Sequence, residues 1–164
     1  MTINANAMLH EQAKIVTGFG PGVPSTSTSD FVSLKGYERC CVIIQALNGT
    51  TVTGSAITLN QAQDVANTAG KALAFSTQYA NVDTGATDTQ VETAVTSNTF
   101  TTNTTNSKGL MHIIDVKASD LDVANGFDCL AVKLATAVNS TISVTFVLYP
   151  ARFAKATPLS AILD

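Results

Sequence analysis

Apolar and polar positions alternate with a period of two along much of this chain, and in one stretch apolar residues fill both parities. Residues 37–47 carry apolar side chains on both parities, with Cys40, Cys41, Val42, Ile43 and Ile44 in succession. That pattern predicts a central strand buried on both faces, around which the rest is organised. The clearest alternation lies near the C-terminus, where Ile142, Val144, Phe146 and Leu148 interleave with Ser143, Thr145, Val147 and Tyr149 before Pro150 ends the strand or marks its edge. Shorter strands are predicted at 31–34, 71–77, 110–116 and 127–134. Asn48-Gly49 is a turn signal, and the apolar positions of 56–59 beyond it predict an antiparallel hairpin. Residues 61–65 fit either a helical turn or a continued strand, 119–122 a capped helical turn, and Asn125-Gly126 a reversal. Short strands punctuated by turns, with no helical period between them, predict an all-β antiparallel sandwich of jelly-roll type.

Two regions depart from that pattern. Over 4–16, Ala5, Met8, Leu9, Gln12, Ala13 and Val16 recur at helical spacing, and 18–29 is rich in Gly, Pro and hydroxyl residues. These predict an arm over 1–29, a short helix and an extended connector, preceding a sandwich domain over 30–164. A helix that short is marginal alone and must dock on the body or on a neighbour. Met8, Leu9, Ala13 and Phe19 are therefore candidate contact residues. The second region, 78–107, is dominated by Thr, Asn, Asp and Gly, and reads as a long excursion anchored by Val91, Val95 and Phe100, with Phe100 a fifth contact candidate. Residues 158–164 read as a short apolar tail.

Composition narrows the classes of function. At 164 residues the chain has the size of one domain, and 45% hydrophobic content excludes a disordered chain. Only 13% of residues are charged, about half the usual share. The polar surface is thus largely Thr, Ser, Asn and Gln, which a neighbouring subunit can cover without pairing many charges. A net charge of −3 with nine Lys and Arg argues against nucleic acid as a partner. No apolar run is long enough to cross a bilayer, and the N-terminus lacks a basic stretch followed by an apolar one, so neither membrane nor export is expected. The cysteines, Cys40, Cys41 and Cys129, form no CxxC pair and are expected as reduced, packed thiols.

No constellation for catalysis, a cofactor or a metal emerges. His10 and His112 share no ligand-spaced cluster. Asp120, Asp122 and Asp128 lack the Gly and distal Glu of a calcium loop and read as solvated carboxylates around a turn. Gly18-Phe19-Gly20-Pro21-Gly22 is not followed by the Lys of a phosphate loop, and Pro21 removes an amide that a phosphate would need. Three sequons, at Asn48, Asn103 and Asn139, are what chance supplies in a chain so rich in Thr and Asn. The expectation is a protein that is not an enzyme.

Several segments together resemble a family of small virion proteins of tailed bacteriophages and prophages: 11–16, 31–37, 61–65, 70–72, 120–129 and the ending 151–164. The likeness spans nearly the whole chain apart from the Thr-rich excursion. It implies a structural protein of the virion, made in the host cytoplasm. A capsid decoration or cement protein fits it best, commonly a homotrimer, with the major capsid protein or another virion protein as partner. A neck, tail or baseplate adaptor is the alternative. A carbohydrate-binding β-sandwich is a second alternative, weakened by the absence of Trp and the presence of only three Tyr.

Overall fold

The computed structural model describes residues 8–96, 98–151 and 161–162. Among them one helical turn, Leu9–Gln12, precedes twelve strands: β1 (Lys14–Gly22), β2 (Ser27–Thr28), β3 (Val32–Ser33), β4 (Tyr37–Asn48), β5 (Ala56–Ala62), β6 (Lys71–Ala72), β7 (Thr77–Asn81), β8 (Val91–Ala94), β9 (Thr99–Thr101), β10 (Gly109–Lys117), β11 (Cys129–Leu134) and β12 (Ser140–Ala151). Two short 3-10 turns, Ala118–Asp120 and Val123–Asn125, separate β10 from β11. The strands form two antiparallel sheets. The first has the order β1-β12-β4-β10-β7-β8, and the second β2-β11-β5-β6, with β3 also on β11 and β9 also on β5. The antiparallel sandwich expected from the alternation is the architecture observed.

The core follows from the period of two. Cys40, Val42, Ile44 and Ala46 of β4 point inward beside Ile142, Val144, Phe146 and Leu148 of β12, and meet Ile57 and Leu59 of β5 and Leu130, Val132 and Leu134 of β11 from the facing sheet. Each Val, Leu, Ile or Phe among them, moved fully out of water, contributes about 1.5–3 kcal/mol before conformational entropy is set against it. A smaller cluster of Phe31, Ala62, Cys129 and Ala131, with Val65 against it, covers part of the outer face of the second sheet. Cys129 therefore belongs to a different layer from Cys40, and none of the three cysteines is in a disulfide.

Several sequence expectations are corrected. The helix over 4–16 survives only as Leu9–Gln12, where the Met8 N–H donates to the Glu11 carboxylate at 2.7 Å; residues 4–7 lie outside the described residues. From Lys14 the chain is strand β1, paired with β12 from Lys14↔Leu148 through Gly22↔Ile142, and Ser27–Thr28 pairs with β11. Residues 14–28 are thus built into the sandwich, where β12 offers Ile15, Val16 and Phe19 a full row of hydrogen-bonding partners that an isolated helix of this length cannot match. The Asn48-Gly49 hairpin does not form, because β4 and β5 lie in different sheets. The excursion over 78–107 is structured: β7 and β8 make a hairpin, and β9 adds to β5. The strand expected over 71–77 is divided: Lys71–Ala72 pairs with β5, and Thr77 opens β7 opposite Ala94. The apolar tail lies largely outside the described residues; Ala161 is buried and its carbonyl accepts from the Ser33 N–H at 2.6 Å.

Gly18 lets the β1 backbone lie directly against a core ring. A Cβ there would lie 2.3 Å from Cε2 of Phe146, a ring with no exposed surface. Gly18→Ala is expected to cost about 1–3 kcal/mol by overpacking, read as a lower urea midpoint with unchanged slope. A midpoint equal to wild type would show that the ring yields freely.

Candidate contact surfaces

The five candidate contact residues are not one surface. Met8 and Leu9 are open to solvent, at 68% and 55% exposure. Ala13 is buried at 2%, and Phe19 packs partly against the core from β1. Phe100 points inward from β9: its ring lies edge-on to Phe75 at 6.3 Å and 4.9 Å from the ring of His112. Ala13 is buried at the junction of the helical turn and β1, and Phe100 packs partly against the core from β9, a strand paired with β5.

His112 stands at the centre of that inner cluster. It points between the sheets from β10, and its Nδ1 lies 3.0 Å from Oε1 of Gln78 on β7. Nε2 finds no partner among the described residues, and burial lowers the pKa to about 4. A neutral imidazole boxed between Phe100 and Gln78 holds the β9 segment to the first sheet. Among the described residues, no three His, Cys, Asp or Glu side chains are grouped to hold a metal ion.

One end of the sandwich is built almost wholly from neutral polar residues. The buried Asn48 amide donates to the carbonyls of Asn103 and Thr105 at 2.9 and 3.0 Å, while its oxygen accepts from the Ser140 hydroxyl at 2.9 Å. Asn139, with a left-handed φ of 53°, donates through its amide to the Thr50 carbonyl at 2.9 Å and accepts the Gly49 N–H at 2.7 Å. The Thr102 hydroxyl takes the Ser55 N–H at 3.0 Å, and the Ser107 N–H reaches the Gly49 carbonyl at 2.9 Å. These bonds hold the 48–55, 102–107 and 135–140 segments as one unit. On it lies a depression of about 610 Å³ lined by Val23, Leu47, Asn48, Gly49, Thr50, Ser107, Asn139 and Thr141, with no charged side chain among them.

The second surface is the outer face of the first sheet. Register places Ile15, Val147, Cys41 and Asp115 on one rung, and Thr17, Thr145, Ile43, Ile113 and Tyr79 on the next. Ile15 and Tyr79 are 48% and 42% exposed, and Ile43, Ile113, Val147 and Cys41 are half-buried. The second face of β4, expected to be buried, is left uncovered among the described residues. Charge is confined to the margins: Arg39 pairs with Asp115 at 3.0 Å, and the Tyr149 hydroxyl donates to the same carboxylate at 3.2 Å. Burial and Asp115 together push the Cys41 thiol up to about 11, so it is no nucleophile at neutral pH. Sequence reasoning missed this face as a candidate surface, although the double-parity apolar run of 37–47 was its signal.

No protein-family model matches the sequence, and no curated protein matches it. Among solved structures the chain is similar to the SPBc2 prophage-derived protein YomS, with a TM-score of 0.48 and 13% identity over 84% of this chain and 93% of that one. A likeness of that degree carries nothing about function.

Proposed function

We propose that this chain is a non-catalytic structural protein of a tailed-phage virion, and that its station is the head, as a decoration or cement protein on the assembled shell. The phage assignment rests on the sequence resemblance described above. The observation that supports a clamping role is the neutral end of the sandwich, where Asn48 and Asn139 lock Thr- and Asn-rich segments to one another. A contact surface fixed in advance loses little side-chain and loop entropy when it docks, and one without charges needs no ion pairs from its partner. The protein acts as a closed homo-oligomer, for which the resemblance implies a trimer. Closure hides adhesive surfaces and prevents open-ended growth.

Particles assembled without the protein are expected to form at normal size and to rupture at a lower temperature, and adding the purified chain back should restore their resistance. Equal robustness of the two kinds of particle, or recovery of the protein only from purified tails, would overturn the head assignment.

A further inference from the structure

The outer face of the first sheet carries a band of apolar side chains, Ile15, Val147, Cys41, Ile43, Ile113 and Tyr79, that no other described residue covers, and we propose that its occupant is the same face of a second copy of this chain. The inference deepens the oligomer part of the reading above, and it replaces a three-fold arrangement by a two-fold pair.

Three observations select a second copy. The first is area. Six strands at about 4.8 Å spacing, with a run on β4 from Arg39 to Leu47 of about 27 Å and with β7 and β8 about half as long, give a face of roughly 650 Å². Two such faces bury roughly 1,300 Å², within the range of a specific interface. The second is charge. Arg39 and Lys117 stand at one end of the face and are balanced by Asp115 and Glu92, so it presents no net charge to select an acidic or basic partner. A neutral, self-complementary face is what an isologous contact requires. A two-fold axis lying in the face and across the strands sets the Arg39 end of one copy against the uncharged Leu47 end of the other, so like charges do not meet.

The third observation is that the alternative routes of self-association are guarded. On β1 the pairing register shifts between Thr17 and Phe19 and again before Gly22, Pro21 has no N–H to give, and the Gly18 carbonyl is taken by the Asp30 N–H at 2.8 Å. At the far edge, β8 is short, fully exposed and carries Glu92. Bulges, proline and charge are the devices that stop sheets from adding edge to edge. The outer face of the second sheet is partly covered by Phe31 and Val65 of the same chain. Association is thereby directed to the open face of the first sheet.

Light scattering on the eluting full-length protein, over a range of concentrations, is expected to give twice the chain mass, falling to one on dilution. Ile43→Lys, at the centre of the face, should raise the dissociation constant at least a hundredfold. Ile15→Lys, at the half-exposed margin where folding is not at stake, should raise it at least tenfold. Val123→Lys, exposed on a distant 3-10 turn, should leave it unchanged. If Ile43→Lys does not fold, Ile15→Lys decides. A monomer at all concentrations, a trimer, or a pair indifferent to Ile15→Lys overturns the proposal. A monomer that still toughens particles sinks the pairing alone, whereas a pair that does not bind them sinks the head assignment alone.

Discussion

Phe146→Ala is expected to destabilise the protein by about 3–5 kcal/mol, the range for emptying an aromatic site in a packed core. The ring has no exposed surface and sits in the middle of β12, between β1 and β4. A domain of this kind has about 5–15 kcal/mol in all, so the variant should unfold on the order of 10 °C lower. Gly18 supplies an internal control. Because a Cβ at position 18 would enter the space of the ring, Gly18→Ala should be harmful in the wild-type chain and far less so, or stabilising, in the Phe146→Ala background. Contacting sites couple in this way and distant ones add. Additive costs would mean that the two positions do not share that space.

Acid should weaken the fold through His112 before it reaches the carboxylates. The imidazole titrates at its ordinary value of 6.5 in the unfolded chain and at about 4 in the fold, where burial disfavours the cation. Above pH 6.5 both states are neutral and the group leaves stability unchanged with pH. As pH falls from 6.5 towards 4, only the unfolded chain takes up the proton, so stability declines across that window and levels below it. The total loss is about 3 kcal/mol. Urea midpoints measured every half unit from pH 7.5 to 4 should show this slope in the wild type and not in His112→Phe, which keeps a ring against Phe100. An identical slope in both proteins would assign the decline elsewhere. The held-down carboxyls do not confuse the window, because Asp64, bonded to Thr68, and Asp122, bonded to Lys71 and Asn125, both titrate below the ordinary carboxylate value.

How much of this was legible beforehand depends on the range of the interactions involved. The strands β4, β10, β11 and β12 were readable because burial on a pleated sheet imposes a period of two on the sequence itself. Asn125-Gly126 was readable for the same local reason, since Gly126 takes the left-handed conformation with φ at 78°. Residues 14–22 were not. The helical spacing up to Val16 and the connector composition from Gly18 are both overridden by β12, whose row of backbone groups lies more than a hundred residues away in sequence. Asn48-Gly49 carried a hairpin signal, but Asn48 is claimed by Asn103, Thr105 and Ser140, partners no local rule can nominate. The Thr-rich stretch after residue 78 looked structureless because β8 and β9 bury so little of their own surface, and they are ordered by β7 and β5 instead.

The contact surfaces divide along the same line. Composition alone determined that the exterior is neutral and polar, because 13% charged residues leave no other way to make it. The double-parity run of 37–47 alone determined that β4 is apolar on both faces. Only the tertiary structure decided which of those faces remains open, because that depends on where the second sheet packs. It also buried Ala13, set Phe100 partly against the core and brought His112 against its ring. Side-chain period is written in neighbouring residues, whereas the pairing of sheets is fixed by contacts between residues far apart in the chain.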